Sequence, residues 1–451
     1  MNSDLTQEKL LPDPSPFFRW IVLTFISLAM FGNYYIYDSI SPLADLLKAQ
    51  LGFSDSNIGT LNAIYSIPNI FMVLIGGFII DRIGTKKSAL MFSTLVFLGG
   101  LITTLKGDII VMATGRLIFG LGAESMIVAI TTVIARWFKG KELSFAFGLN
   151  LTIARLGSFL ALNSPTWGRN FYTNWHSPLV ISVFAGATSV ICLGIYYFID
   201  RYAERNYALN KEGSTDKVVF KDIFNFGKSF WLITLLCVTF YSAMFPFQTF
   251  AVKFFQEVHG TTREVGGFLS SMLTFAAMIF TPLFGLLADK IGKRSLLMMI
   301  GSLAIIPVYL CMGYKVDIAG FLGLSETVAV NVGFLKIHYL IPTNLLIPMS
   351  VMGFAFSLIP AVMWPSVALF VDSHKLGTAY GLMTMIQNIG LAGFNLLVGW
   401  ANDYSLASVT NPGGYKLGMW IFSTLGFFGC FFALLLQRQE RKLSWGQAHK
   451  A

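Results

Sequence analysis

Two charges of opposite sign each lie in the middle of a long apolar stretch. Glu124 follows "GRLIFGLGA", and Arg155 lies within "LNLTIARLGSFLAL". An ionisable side chain inside a membrane helix is costly, so it commonly marks a functional site. A carboxylate can bind an ammonium group, and the planar guanidinium of arginine can hold a carboxylate through two hydrogen bonds. Glu124 and Arg155 could therefore bind the two ends of a small zwitterion, or form a structural ion pair that locks two helices together.

Two further ionisable residues lie in apolar stretches of the same half. Arg116 precedes Glu124 by eight residues, about 12 Å along a helix, and we expect it on the cytoplasmic side of Glu124. There its guanidinium could bond backbone carbonyls at a helix end. Asp38 is near the outer end of the first apolar stretch. It could cap a helix, close an outer gate or contact a ligand directly.

Aromatic and amide side chains on other apolar stretches could complete a binding site. The candidates are Tyr37, Tyr65, Tyr241, Trp364, Gln387 and Asn388. Ordinary core or lipid-facing packing is the alternative for the aromatic residues, and interhelical hydrogen bonding is the alternative for the amides. The sequence carries no spacing typical of a metal site, a phosphate loop or a nucleophile–base pair. We therefore predict no cofactor, no metal, no catalytic residue and no enzymatic activity.

The composition of the chain indicates the elements that would hold these residues. Of the 451 residues, 55% are hydrophobic and 12% are charged, whereas soluble domains average about 25% charged residues. A helix needs about 20 apolar residues to cross a bilayer, and twelve segments qualify. The predicted helices are Phe17–Ile40, Ile58–Ile80, Ser88–Leu105, Ile109–Trp137, Leu143–Leu162, Pro178–Ile199, Phe230–Phe255, Val265–Ala288, Ser295–Gly313, Leu345–Val371, Thr378–Trp400 and Tyr415–Leu436. The loop Ile318–Leu340 is predicted to form a short amphipathic cap on the outer face.

Lysine and arginine are unevenly divided between the two sides of the predicted membrane protein. The even-numbered connections and both tails hold 22 of them, and the odd-numbered connections hold 8. Because cytoplasmic loops are enriched in lysine and arginine, both termini are predicted to face the cytoplasm. The net charge of +9 is then a consequence of topology, and no nucleic-acid partner is predicted.

A short charged turn occurs once in each half of the chain. The stretches "GGFIIDRIGTKK" and "FGLLADKIGKR" each come at the end of the second apolar segment of their half. We expect Asp81 and Asp289 to end their helices at the membrane interface, because charged groups avoid hydrocarbon. Gly84 and Gly292 would permit a tight reversal. The basic residues that follow each glycine would anchor the next helix at the anionic leaflet.

The repeated turn divides the chain into two six-helix units. We predict an N-terminal bundle over residues 1–199, a cytoplasmic linker over 200–229, a C-terminal bundle over 230–436 and a cytoplasmic tail over 437–451. Parallel six-helix repeats are one known architecture of secondary transporters.

The two turns resemble the signature loop of the major facilitator superfamily, G-x-x-x-D-(R/K)-x-G-x-(K/R)-(K/R). The first copy matches at Gly77, Asp81, Arg82, Gly84, Lys86 and Lys87, and a copy one residue shorter matches at Gly285, Asp289, Lys290, Gly292, Lys293 and Arg294. The stretch "GRLIFGLG" resembles the fourth-helix pattern of the same family. Longer stretches, including "RWFKGKEL" and "LGTAYGLMTMIQNIGLA", are similar to its lysosomal dipeptide transporter branch. The resemblance covers nearly the whole chain and implies an all-α fold of twelve transmembrane helices in two pseudo-two-fold related bundles.

The resemblance also implies roles for individual residues. The positions of Glu124 and Arg155 look like the peptide-binding positions of the dipeptide transporter branch. In the superfamily, the arginine that matches Arg116 is linked with gating or proton coupling, and the two turns would make and break contacts between the bundles. The residues predicted for gating or coupling are Asp38, Arg116, Gly77, Asp81, Arg82, Gly84, Lys86, Lys87, Asp289, Lys290, Gly292 and Arg294.

These observations together predict a secondary active or facilitative transporter, a uniporter or a symporter, that works by alternating access. Its substrates would be small zwitterionic solutes, with dipeptides favoured. One alternative is the same machine carrying a small organic anion with a proton, where Glu124 would be the proton site and Arg155 the anion site. A second alternative is a non-transporting membrane receptor or assembly partner.

The predicted partners are a small-molecule substrate and the lipid bilayer. We expect a monomer; the lysosomal relatives are thought to use a partner subunit, which this sequence allows but does not require. The tails are short, and the sequon at Asn150 falls inside a predicted helix, where glycosylation is not expected. These features favour a bacterial inner membrane, with the lysosomal membrane as the alternative.

Overall fold

The computed structural model describes residues 14–138, 142–207, 226–332, 337–372 and 375–448. We call the described residues up to 207 the N half and those from 226 the C half. The N half contains α1 (Pro16–Asp38), α2 (Ala44–Leu51), α3 (Asp55–Ile83), α4 (Thr85–Leu105), α5 (Ile109–Phe138), α6 (Leu143–Leu162), α7 (Ser164–Trp167) and α8 (His176–Asn206).

The C half repeats this sequence of long helices. It contains α9 (Lys228–His259), α10 (Arg263–Ile291), α11 (Arg294–Gly313), α12 (Ile318–Leu322), the strands β1 (Thr327–Val332) and β2 (Ile337–Pro342), α13 (Thr343–Phe370), α14 (Leu376–Tyr404) and α15 (Lys416–Ala448). Within the described residues, eleven helices are long and apolar enough to cross a membrane, and counting the bent α3 as one span gives twelve. This confirms the predicted all-α membrane fold.

The long helices pack mainly with helices of their own half. In the N half, α1 packs against α6 and α8, and α4 packs against α5; in the C half, α10 packs against α13, and α11 against α15. Each half has a large cluster of buried apolar side chains, and the cluster of the C half also includes Ala44 and Ile58 of the N half. The helix ends differ from the predicted domain boundaries: α8 continues to Asn206, and α15 continues to Ala448. The division into two domains at those boundaries stays a prediction.

Two close helix pairs join the halves: α3 with α14, and α6 with α10. Glycine permits the first approach, since a Cβ on Gly59 would lie 2.4 Å from the carbonyl oxygen of Asn395. It also permits the second, since a Cβ on Gly267 would lie 2.2 Å from the carbonyl oxygen of Leu162. Small residues at helix crossings allow backbones to come this close in membrane proteins.

The repeated turns have the predicted glycines, but the helices end later than expected. Helix α3 continues through Asp81 to Ile83, and Gly84 stops it with a φ of +86°; helix α10 runs through Asp289 to Ile291, and Gly292 has a φ of +68°. The prediction that the aspartates end the helices was wrong, because a charged residue in the last helical turn already reaches the interface without ending the helix.

We name the two ends of the molecule by these turns. The turn end carries Gly84 and Gly292, and the far end carries the connections between α1 and α3 and between α9 and α10. The loop predicted as an outer cap lies at the far end. It contains the short helix α12 and an antiparallel hairpin in which Thr327 pairs with Pro342 and Val332 with Ile337. Asp317 accepts hydrogen bonds from the Gly320 N–H and from Asn344, which lower the pKa of its carboxyl group.

Candidate functional site

A cavity between the halves brings together all eight residues predicted to contact a substrate. It has a volume of about 220 Å³, just below the range of about 300–1,000 Å³ typical of small-molecule sites, so it suits a small ligand. It is lined by Asn33, Tyr34, Tyr37, Tyr65, Glu124, Ile127, Arg155, Tyr241, Phe245, Trp364, Thr384, Gln387, Asn388 and Leu391.

The two charged residues of the cavity do not pair with each other. Glu124 is presented by α5 and Arg155 by α6, and the hydroxyl of Tyr65 donates to Oε1 of Glu124 over 3.4 Å. Within the described residues, neither Glu124 nor Arg155 forms an ion pair. The alternative of a structural ion pair between them is therefore not seen in this conformation, and both charges face space that a ligand could occupy.

Arg155 is held between aromatic rings from the two halves. Its guanidinium carbon lies 5.4 Å from the ring centre of Tyr34 on α1 and 5.5 Å from that of Phe356 on α13. Such cation–π contacts place the guanidinium. Its N–H groups form no hydrogen bond with the residues that the structure describes, so they can bind an anion. Sequence reasoning did not single out Phe356, because one phenylalanine among 42 gives no signal.

The C half contributes a neutral wall of aromatic and amide groups. The indole N–H of Trp364 donates to the hydroxyl of Tyr241 over 2.9 Å, and the Tyr241 ring stacks on Phe245 at 5.7 Å. Asn388 donates to the carbonyl of Thr384, while its Oδ1 has no partner among the described protein atoms. This wall can offer hydrogen bonds to a polar ligand without adding a fixed charge.

Arg116 lies nearer the far end than Glu124, so the prediction that it lies on the cytoplasmic side was wrong. Helix α5 runs from the far end to the turn end, and an earlier residue is therefore closer to the far end. The Arg116 guanidinium donates to the carbonyls of Ile36 and Leu61 at 3.2 Å each and to Oδ1 of Asn62 at 2.8 Å.

Arg116 also packs against three aromatic rings of the N half, two of which line the cavity. Its guanidinium carbon lies 5.8 Å from the ring centre of Tyr37, 5.6 Å from that of Tyr65 and 5.2 Å from that of Phe119. Since Tyr37 and Tyr65 line the cavity, Arg116 holds two contact residues in place from outside it. This arrangement agrees with the interpretation in which the guanidinium bonds backbone carbonyls at a helix end.

Asp38 is the last residue of α1 and does not line the main cavity. It lines a smaller polar cavity towards the far end, together with Asn62 of the N half and Gln248 and Thr249 of the C half. Tyr37 and Phe245 line both cavities and separate them. Asp38 therefore lies where the two halves meet, beyond the main cavity.

The turn residues lie away from the cavity, at the turn end. Asp81, Arg82, Lys87 and Lys290 are exposed, and Arg294 donates to Asp289 over 2.7 Å. Lys86 was predicted to anchor its helix at the lipid leaflet, but its ammonium contacts Glu204 and lies 3.6 Å from Asp200, both on α8 of the same half. Lys86 thus joins a cluster in which Arg136 also pairs with Asp200 and Glu204, so carboxylates of its own half compensate its charge.

Comparisons with known proteins support the family assignment. The model of the Major Facilitator Superfamily matches residues 26–395. The chain is 32% identical over 433 residues to "Lysosomal dipeptide transporter MFSD1" of Danio rerio, covering 93% of this chain and 85% of that protein. It is also 32% identical over 409 residues to the protein of that name from Homo sapiens, covering 87% and 82%.

More distant matches are named as transporters of other solutes. The chain is 22% identical over 410 residues to "Probable sulfoacetate transporter SauU" of Cupriavidus necator, covering 86% of this chain and 89% of that protein. Among solved structures, nucleoside transporter NupG superimposes with a TM-score of 0.68 at 15% identity, covering 92% of this chain and 98% of that chain. The helical fold, the central cavity and the family match lead to one conclusion: the chain belongs to the major facilitator superfamily and is a membrane transporter, not an enzyme.

Proposed function

We propose that this transporter moves dipeptides across a membrane by alternating access. The observation that carries the proposal is the placement of Glu124 and Arg155 in one cavity between the halves, with no ion pair between them. A free dipeptide at neutral pH has an ammonium group at one end and a carboxylate at the other. Glu124 would accept hydrogen bonds from the ammonium, and Arg155 would donate to the carboxylate. The relatives named as dipeptide transporters, at 32% identity over most of the chain, support the same substrate class.

Binding at this site would favour closure of the cavity. Both fixed charges come from the N half, whereas Tyr241, Trp364 and Gln387 come from the C half. A ligand bound to the charges would therefore gain the contacts of these C-half residues only when the C half approaches. That differential contact is what lets a ligand shift the balance between two conformations.

The organic-anion alternative is favoured by one specific finding. Relatives at 22% and 25% identity are named as transporters of sulfoacetate and hexuronate. In that mechanism Arg155 binds the anion and Glu124 carries a proton. Transport of an anion without an amino group, dependent on a proton gradient, would support it.

We also propose that the turn end faces the cytoplasm. The division of lysine and arginine, 22 against 8, supports this orientation through the enrichment of these residues in cytoplasmic loops. For the membrane itself, our prediction of a bacterial inner membrane competes with the lysosomal membrane, which the names of the relatives support. Accessibility labelling of Lys87→Cys, an exposed turn-end position, in intact cells would test the orientation.

The decisive experiment for the function is counterflow. Purified protein in liposomes preloaded with unlabelled glycylglycine should accumulate labelled glycylglycine transiently, because a transporter exchanges the two pools. A receptor or assembly partner would bind the peptide without accumulation. Binding without counterflow, or neither activity with any dipeptide of a small library, would overturn the proposal.

A further inference from the structure

A second group of charges joins the halves at the far end, outside the cavity. The ammonium of Lys253 on α9 contacts Oδ1 of Asp55 at the start of α3. Both side chains are buried, with 0% and 1% of their surface exposed. Nearby, Arg263 of the C half pairs with Asp45 of the N half. None of these residues was singled out by the sequence analysis.

The first turn of α3 is capped from both halves. Ser54 and Asn57 of the N half form a capping box in which the Ser54 hydroxyl accepts from the Asn57 N–H. The N–H groups of Asp55 and Ser56 donate instead to the two carboxylate oxygens of Asp403 on α14, at 2.8 Å each. The first N–H groups of a helix have no partner within the helix, and a carboxylate there is also favoured by the helix dipole. Asp403 therefore caps a helix of the opposite half.

Each charge of the buried pair has a second partner in its own half. Lys48 on α2 lies 3.8 Å from Oδ1 of Asp55, and Glu257, one turn further along α9, lies 3.8 Å from the ammonium of Lys253. The hydroxyl of Tyr415, also in the C half, donates to Glu257. If the halves separate at the far end, Asp55 keeps Lys48 and Lys253 keeps Glu257. Further partners also stabilise a permanent buried pair, but a pair that must break requires one for each charge within its own half, because an unpaired buried charge is strongly destabilising.

The helices that carry these residues also line the cavity. Helix α3 carries Tyr65, α9 carries Tyr241 and α14 carries Gln387. At 1.5 Å per residue, the far-end group lies about 15–24 Å from those positions along the same helices. A movement of these three helices around a ligand would therefore act directly on the far-end contacts.

We propose that Asp55, Lys253 and Asp403 form the latch of a far-end gate, and that Lys48 and Glu257 take over its two charges when the gate opens. The proposal rests on transport by alternating access, which requires the far end to open once in each cycle. The latch is a set of gating residues for transport and has no direct contact with the substrate.

Mutating a latch residue and mutating a residue that takes over a latch charge should have opposite effects on how often the far end opens. Asp403→Ala removes the cap contributed across the gate, so the closed state loses stability and the far end opens more often. Glu257→Gln leaves the Lys253–Asp55 pair intact in the closed state but deprives Lys253 of its anion in the open state, so the far end opens less often. Lys48 is less suitable for the test, because its ammonium also donates to the carbonyl of Ala407 across the gate.

The test is hydrogen–deuterium exchange of the full-length protein without substrate, followed in peptides that cover residues 52–62. We expect exchange in Asp403→Ala to be about fivefold faster, the usual scale of a lost helix cap, and exchange in Glu257→Gln to be slower than in the wild type. If Asp403→Ala expresses poorly, Asp403→Asn keeps one acceptor and should shift exchange less in the same direction. Asp317→Asn is the matched control, since Asp317 caps α12 within one half and should leave residues 52–62 unchanged.

The outcomes separate a latch from a merely structural cluster. If these side chains only stabilise the fold, Glu257→Gln also accelerates exchange or leaves it unchanged, and the proposal is overturned. The measurement needs no substrate, so its failure leaves dipeptide transport untouched. Conversely, if counterflow fails while exchange is faster in Asp403→Ala and slower in Glu257→Gln, the result would support the latch and overturn the proposed substrate.

Discussion

The cavity and the far end each hold a buried acid and a buried base, arranged in different ways. In the cavity, Glu124 and Arg155 face the same space without pairing. At the far end, Asp55 and Lys253 are in direct contact, and each has a second partner within its own half. All four are costly to place inside a membrane protein. The difference suggests that the first pair is completed by a ligand and the second by the closing of the protein itself.

The loss of one charge should have different consequences at the far end and in the cavity. A contact pair is interdependent, so removing one member leaves the other buried charge with only its more distant partner at 3.8 Å. Charges that face a cavity are not interdependent in the same way, because solvent or ligand compensates them. Stability should therefore depend on the far-end pair, and substrate binding on the cavity pair.

The largest expected effect is on stability. Lys253→Met should lower the free energy of unfolding by about 3 kcal/mol, the lower end of the scale for breaking a buried ion pair, because Asp55 keeps Lys48 at 3.8 Å. Thermal unfolding in detergent should show a clearly lower midpoint. Arg155→Met is the matched variant and should change the midpoint far less, because Arg155 has no ion-pair partner among the described residues. Equal losses in the two variants would remove the distinction between the pairs.

The next effect is on transport. Arg155→Ala and Glu124→Gln should each reduce dipeptide uptake into proteoliposomes by about 30-fold or more, since truncating one side of a buried charged contact costs roughly 2–5 kcal/mol. Expression and the unfolding midpoint should stay near those of the wild type. Arg205→Ala and Glu326→Gln change exposed residues outside the cavity and serve as controls. Near-normal uptake in both cavity variants would remove this site assignment.

A smaller effect should come from the ring that places Arg155. Phe356→Leu removes a cation–π contact worth about 0.5–2 kcal/mol, so the KM for a dipeptide should rise about threefold with little change in the maximal rate. Phe354→Leu is the control on the same helix, because Phe354 packs against Phe284 instead. A similar change of KM in both variants would indicate general loosening of α13, not a role in placing Arg155.

The sequence predicted the cavity better than the gate, for a physical reason. A polar side chain in an apolar helix is unusual, so Glu124, Arg155, Gln387 and Asn388 could be singled out, and all four line the cavity. Asp55 and Asp403 lie near helix ends, where charged residues are ordinary and carry no signal.

The remaining misses have equally specific causes. The far-end contacts join residues that are far apart in the chain, such as Asp55 and Lys253, and no local pattern encodes such a pairing. Arg116 was placed on the wrong side of Glu124 because the direction of α5 was reversed. The predicted topology already implies that α5 runs from the far end to the turn end. Phe356 was missed because its role depends on which of many phenylalanines faces Arg155 across the cavity.

The most direct test of the central claim is competition for labelled glycylglycine uptake by the wild-type protein. The competitors are glycylglycine, its N-acetylated form and its C-terminal amide. The N-acetylated form lacks the positive end, and the amide lacks the negative end. If Glu124 and Arg155 each bind one end, both blocked forms should compete at least about tenfold less well than the free dipeptide, a difference of about 1.4 kcal/mol. A blocked form that competes as well as the free dipeptide would contradict two-ended recognition in this cavity.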